Sequence, residues 1–290
     1  PFDAALSRAR DWVEAVLLGP VGQLQPKEGD LSDAMRHALQ GGKSLRAFLV
    51  IESARLHGID RQRAALVAAA IECVHAYSLV HDDLPCMDDD DLRRGQPTVH
   101  RKWDEATAVL AGDALQTLAF ELLSHPSVGT AERQIHLIRS LARAAGHQGM
   151  VGGQMMDIQA ETLDRPATLA EITHLQSGKT GALITWSATA GAMLAQADVS
   201  ALKSYGDALG LAFQIADDIL DVEGDAATLG KAAQKDAQAG KATFVSLLGL
   251  DGAKRRAETL VESALDALSI YGNDANNLRA TARFVIERRS

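Results

Sequence analysis

Six aspartates fall within ten residues in the run His81-Asp82-Asp83-Leu84-Pro85-Cys86-Met87-Asp88-Asp89-Asp90-Asp91. The apolar segment 68–80 ahead of it reads as a helix that Pro85 cannot continue. Asp82 and Asp83 are then at a helix C-terminus, where the macrodipole disfavours each carboxylate by about 0.3–1 kcal/mol and the two repel each other. A divalent cation reverses both effects, and hard Mg²⁺ takes oxygen ligands of this kind. Asp89, Asp90 and Asp91 taken alone read as a solvated acidic turn, whereas Asp82, Asp83 and Asp88 read as ligands. A second cluster, Asp217, Asp218 and Asp221, interrupts the apolar helical run 211–222. Helical spacing puts Gln214, Asp217 or Asp218, and Asp221 on one stripe. Ionised carboxylates beside so much apolar surface are costly unless paired or metal-bound. Two clusters of one spacing class imply two walls of a single cation site.

Acidic walls that hold Mg²⁺ point to phosphate, and phosphate calls for protein cations as well. The run Gly41-Gly42-Lys43-Ser44-Leu45-Arg46 opens a helix after a flexible pair, so backbone N–H groups and two cations can converge on an anion. Arg93 and Arg94 follow the first acidic cluster. Lys179-Thr180-Gly181 reads as the start of a long uncharged helix, and Lys231 and Lys241 lie in or beside the glycine-bearing stretch 224–240. Each of these cations alone is more often a surface charge; their weight is collective. His75, two helical turns before Asp82 on the same face, reads either as a satisfied core histidine or as a phosphate contact. Tyr77 and Ser78 lie between them and would face the interior near the metal end.

The elements that must position these residues read as helices. Ala and Leu abound, alternating β-branched runs are absent, and no proline follows Pro166. Apolar residues recur at spacings of three and four in Ile135, Leu137, Ile138 and Leu141, and again in Leu260, Val261, Ala264, Leu265 and Leu268. Thr168 with Glu171 has the form of a capping box. Breaks are expected at 19–29, 41–42, 84–97, 126–130, 163–166 and 224–240. The uncharged stretch 180–197 is long enough to suggest a membrane span, but it carries Thr185, Ser187, Thr189 and Gln196, so a buried helix is the better reading. The expectation is an all-α fold, one domain over 1–290 with ten or so helices.

Composition narrows the function class. Hydrophobic residues at 47% and charged residues at 23% are globular values and exclude intrinsic disorder. Lys+Arg 29 against Asp+Glu 38 gives −9, which disfavours nucleic acid or an anionic membrane as partner. Two cysteines, Cys73 and Cys86, argue against a disulfide-built scaffold, and no basic-then-apolar leader is visible, so a cytoplasmic protein is expected.

With both acidic motifs and the basic set in view, the chain resembles the trans-prenyltransferases, in particular bacterial short-chain polyprenyl diphosphate synthases of the farnesyl diphosphate synthase type. The strings YSLVHDDLPCMDDDDLRRGQPTVH, LAGDALQTLAFELL, MVGGQMMDI, SGKTGALI and FQIADDILDVEGDAATLGK carry the resemblance, which runs nearly end to end. It implies a large helical bundle with a central cavity, a homodimer, and three Mg²⁺ ions, two on Asp82 and Asp88 and one on Asp217. Asp83, Asp218 and Asp221 would support them directly or through water. By the same resemblance Arg93, Lys179 and Lys231 hold the allylic diphosphate, while Lys43, Arg46, His75 and Arg94 hold isopentenyl diphosphate. Thr180 and Gln214 would place oxygens near the developing cation with Gln154 nearby, and Lys241 is a further candidate. Ser44 and Ala47 depart from the family's usual Arg and Pro, which bears on isopentenyl diphosphate affinity.

The chemistry so implied is Mg-dependent ionisation, condensation and elimination, with the departed pyrophosphate taking the proton and a lid formed by 224–240 and Arg288-Arg289 excluding water. Tyr77, with Ser78, would act as the floor that limits the product to fifteen carbons. The alternatives are a geranylgeranyl diphosphate synthase, a class I terpene cyclase, a metal phosphohydrolase using His81-Asp82, and a non-catalytic cation-binding scaffold. Stable membrane insertion is not expected.

Overall fold

The computed structural model describes residues 1–26, 29–224 and 241–288, and these fold almost wholly as helices. The all-α expectation holds: the only strands among the described residues are β1 (Leu92–Arg93) and β2 (Gln96–Pro97), an antiparallel pair with Leu92 opposite Pro97 and Arg93 opposite Gln96. The described residues separate into two compact units, Pro1–Ile138 with Ala190–Ala197, and Arg139–Thr189 with Asp198–Ser290.

In the first unit, α1 (Phe2–Leu18), α2 (Asp30–Leu39), α3 (Leu45–Leu56) and α6 (Glu105–Leu123) all pack on α4 (Arg61–Asp82). Six of the thirteen buried residues of α4 are alanines, between Ala64 and Ala76, small side chains that allow close helix packing. Its start is fixed by Asp60, whose side chain accepts from the Arg63 N–H, and α6 begins in the same manner with Asp104 accepting from Thr107. As expected, α4 ends at Asp82, with Asp83 as its C-cap residue. The short α5 (Val99–Lys102) follows the hairpin.

The second unit takes the later part of α7 (Ala131–Ala145), then α8 (Met150–Glu161), α9 (Leu169–Gln176), α10 (Ala182–Leu194) up to Thr189, α11 (Ser200–Glu223), α12 (Phe244–Ala267) and α13 (Asn276–Glu287). The longest packing seam is α11 against α12. Fully buried Tyr205 donates to the Leu278 carbonyl at 2.8 Å, and Trp186 donates to Ser140 Oγ at 2.8 Å. The capping box forms as expected: Thr168 accepts from the Glu171 N–H, and the Glu171 carboxylate accepts from the Thr168 N–H. Arg165, with the Thr168 N–H and hydroxyl, holds the Glu171 carboxyl down to about 2.

Breaks fall at the expected sites within the described residues, and also at 57–60, 146–149, 195–199 and 268–275. One expectation is corrected. Lys179-Thr180-Gly181 does not open a helix, because α9 passes through a π turn (Ser177–Gly181) into α10. The glycines at 178 and 181 widen the winding there rather than break it. The uncharged α10 is buried over most of its length. By length and composition, α4 and α6 could cross a membrane; 72% of the apolar window of α4 is buried inside the protein, against 44% for α6.

Candidate active site

In the first unit the DDxxxxD spacing closes on itself. The Asp88 N–H donates to the Asp82 carbonyl at 2.8 Å, and the residues between wind into successive turns, with Leu84 bonded to His81 and Met87 to Leu84. Six positions of separation in sequence thus become adjacency in space. Asp82 is half-buried and Asp88 exposed. This all-oxygen donor set at a helix C-terminus fits a hard cation such as Mg²⁺. Asp83 points elsewhere. It is 3% exposed and takes a two-pronged contact from Arg93, Nε to Oδ2 at 2.9 Å and Nη2 to Oδ1 at 2.6 Å. Burial pulls the Arg93 guanidinium down, but its bond to Asp83 and the charges of Asp83, Asp90 and Asp82 outweigh that and raise it.

The hairpin turn separates the two arginines. Arg94 and Gly95 have φ of 52° and 76°, both left-handed, the pairing that a tight two-residue hairpin turn demands. Arg93 therefore lies against the acidic motif, while Arg94 donates to the Gln40 carbonyl at 3.2 Å and covers the Gly41-Gly42 turn. The guanidinium lies directly on Gly42, where a Cβ would stand 2.9 Å from Arg94 Nη1 and push that side chain aside. Arg46 lies 3.4 Å from His75 Nε2. Burial, then Arg46, Arg94 and Arg93, hold His75 well below its ordinary value, so the ring is neutral. Lys43 is exposed on the same loop. A cavity of about 270 Å³ opens beside it, lined among others by Arg10, Gly42, Ser44 and Glu72. The structure thus gathers Arg46, His75 and Arg94 at one turn.

Glu72 has no counterpart in the sequence reading. It lies one helical turn before His75 on α4, and its Oε1 accepts the Ala47 N–H at 3.0 Å, at the start of α3. Burial raises its carboxyl, against the pull of the Ala47 N–H and of Arg46, Arg94 and Arg10. A proline at 47, the usual residue in the resembling family, has no N–H for this bond; Ala47 supplies one. A lone glutamate in an alanine-rich helix gives no local signal of such a role.

The second unit builds a different arrangement. Lys179 and Lys241 both donate to Asp157 Oδ2, at 2.6 and 3.1 Å. Asp157, 4% exposed, is a second carboxylate that sequence reasoning missed. Burial pushes its carboxyl up, but the two lysines outweigh that and hold it below the usual range. Gly153, one turn before Asp157, lets the π turn close in: a Cβ there would stand 2.1 Å from the Lys179 backbone nitrogen. Gln154 nearby keeps a buried Oε1 with no hydrogen-bond partner.

Thr180 Oγ1 reaches Gln214 Oε1 at 3.4 Å, Gln214 Nε2 donates to Asp218 Oδ1 at 3.2 Å, and Asp218 Oδ2 accepts the Phe244 N–H at 2.9 Å. Asp218 therefore anchors the start of α12. Asp217 accepts from Arg288, whose guanidinium lies 4.2 Å from the Phe213 ring centroid. Asp221 is half-buried one turn further along α11. Tyr77 is buried on α4 with its ring 5.6 Å from that of His81, and Ser78 donates to the His75 carbonyl at 2.6 Å. Lys231, Arg289 and positions 225–240 of the expected lid lie outside the described residues.

Comparison with known proteins adds independent findings. Residues 28–275 match the family described as polyprenyl synthetase. The chain is 43% identical over 296 aligned residues to farnesyl diphosphate synthase of Haemophilus influenzae, covering 100% of this chain and 99% of that one. A crystal structure of an FPP/GFPP synthase from Zymomonas mobilis superposes with TM-score 0.89 at 44% identity, over 98% of each chain. The geranyltransferase of Helicobacter pylori, solved with magnesium and isoprenyl diphosphate, gives TM-score 0.81 at 33% identity, over 99% of this chain and 96% of that one.

Proposed function

Because this chain belongs to the polyprenyl synthetase family, we propose that it condenses an allylic diphosphate, dimethylallyl or geranyl, head to tail with isopentenyl diphosphate and gives mainly farnesyl diphosphate. It is a prenyltransferase. The observation that carries the reading is the splay of Arg93 and Arg94: one arginine serves the acidic motif, and its neighbour joins Arg46 and His75 at the Gly41-Gly42 turn. Such a division suits two diphosphates held by one hairpin.

In this reading Arg93 and Lys179, with Lys231 and Lys241, grip the allylic diphosphate, and Lys43, Arg46, His75 and Arg94 grip that of isopentenyl diphosphate. Asp82, Asp88 and Asp217 would hold Mg²⁺, three ions in all, with Asp221 in support, and the metal would supply positive charge to the leaving diphosphate. Asp83 keeps Arg93 extended, and Asp218 keeps Gln214 in place. The Thr180 and Gln214 oxygens, 3.4 Å apart, would lie near the developing allylic cation, with Gln154 nearby. The isopentenyl double bond attacks that cation, a new carbon–carbon bond forms, and the proton is lost to the departed pyrophosphate. Neutral His75 donates a hydrogen bond to phosphate without adding charge.

Tyr77 sets the length by blocking further growth beside α4. Residues 1–290 act as one catalytic domain. The exposed Val109 and Leu110 on the half-buried α6 support a homodimer, which sedimentation at two concentrations tests. Two free thiols, Cys73 and Cys86, suit a cytoplasmic setting, and the burial of α4 suits a protein without stable membrane insertion.

The deciding experiment incubates the purified protein with Mg²⁺, isopentenyl diphosphate and each allylic starter, followed by chromatography of the products. A fifteen-carbon diphosphate is expected from either starter. Absence of any elongated diphosphate contradicts the activity, and a predominant twenty-carbon product contradicts the assigned length. Tyr77→Ala is expected to move the product toward twenty carbons or more, and an unchanged profile removes Tyr77 as the floor.

A further inference from the structure

One group of side chains outside the roles assigned above has ligand chemistry. Asp89, Asp91 and His100 each bring a ligand atom within 4.8 Å of the other two. His100 is 7% exposed, and both of its ring nitrogens are buried with no hydrogen-bond partner. A neutral imidazole has one donor and one acceptor nitrogen, and either one left unmet in the interior is costly. One ring nitrogen, within 4.8 Å of a carboxylate oxygen from each aspartate, is therefore placed to serve as a metal ligand. Asp91 gives Oδ1 to Arg101 Nε at 2.6 Å, which leaves Oδ2 to bind an ion.

We infer that Asp89, Asp91 and His100 form a binding site for a divalent transition ion such as Zn²⁺ or Mn²⁺, distinct from the carboxylates Asp82 and Asp88 that suit Mg²⁺. The imidazole makes the difference, because Mg²⁺ prefers oxygen alone while a nitrogen with two carboxylates favours borderline ions. His100 is held by burial in α5, and the two exposed aspartates swing onto the ion. Water completes the coordination.

The site closes a loop. Its ligands bracket the β1–β2 hairpin, whose ends are already tied by the Thr98 N–H to the Asp91 carbonyl at 3.0 Å and by Thr98 Oγ1 to the Asp90 carbonyl at 2.8 Å. An ion there adds a third clasp beneath Arg93 and Arg94 and stiffens the segment 89–100.

The test strips the whole protein of metal, restores millimolar Mg²⁺, and titrates Co²⁺ by its visible absorption, with Zn²⁺ as competitor. One saturable equivalent is expected. Its affinity should fall at least ~10-fold in Asp89→Asn/Asp91→Asn and in His100→Gln, and stay unchanged in Asp82→Asn/Asp88→Asn. Hydrogen exchange should slow across 89–100 on adding Zn²⁺ to the wild type. No saturable binding in Mg²⁺, undiminished affinity in the Asp89/Asp91 variant, or loss in the Asp82/Asp88 variant overturns the site. The aspartates are exposed, so that variant keeps the test decisive if His100→Gln fails to fold.

Discussion

Glu72 and Asp157 each lie beneath a pair of cations assigned to phosphate, and removing either carboxylate leaves those cations to repel each other in a half-buried setting. Glu72→Gln keeps the shape and loses the charge facing Arg46, Arg94 and Arg10. It is expected to raise KM for isopentenyl diphosphate about tenfold while moving the allylic KM by less than about twofold. Asp157→Asn, which releases Lys179 and Lys241, is expected to do the reverse. Steady-state kinetics with each substrate varied decides, and equal shifts in both constants for both variants contradict the division. His75 gives a pH signature. The unfolded chain protonates this ring near its ordinary 6.5, whereas the folded chain holds it well below. Stability from this group is therefore complete above that pH and is lost as pH falls toward the folded value. Chemical denaturation between about pH 7 and 5 should show a slope that His75→Gln flattens; an equal slope in the variant contradicts the assignment. The aspartates proposed for the site stand out because they cluster in sequence. Glu72 and Asp157 do not, since each is a single acid whose partners are 22 or more positions away.

Local signals worked where the structure is local. Thr168 and Glu171 are three positions apart, so the capping box is written into the chain, and the stop of α4 is enforced by Pro85. The π turn at 177–181 is different. Gly178 and Gly181 beside Lys179 look like a helix start, yet the winding continues because Gly153 on α8 leaves room for it. Gly153→Ala inserts a Cβ 2.1 Å from the Lys179 backbone nitrogen. That displacement should lower kcat at least ~10-fold, with the helical circular dichroism retained. Activity equal to wild type contradicts the role given to this contact. The hairpin at 92–97 also escaped the reading, because two-residue strands show no alternation, and the left-handed Arg94 is carried by its tertiary contacts.

At the scale of the whole molecule, two units with their own buried cores each carry one aspartate motif. Periodicity, capping and the absence of proline after Pro166 foretold the all-α class, because helices declare themselves within a few turns of chain. The side-chain networks that pin Lys179, Arg93 and Asp218 depend on tertiary approach and were beyond local patterns. Each aspartate motif has a member with a structural partner, Arg93 on Asp83 and the Phe244 N–H on Asp218, and the proposed function assigns Asp82, Asp88 and Asp217 to the metal that binds the diphosphate. The most direct measurement is the rate at which geranyl and isopentenyl diphosphates yield a fifteen-carbon diphosphate in Mg²⁺, for the wild type, Asp82→Ala and Asp217→Ala. A loss of at least ~10³-fold in each variant, with folding intact by circular dichroism, is predicted. A rate within about tenfold of wild type in either variant would contradict the claim that both motifs act on the leaving diphosphate.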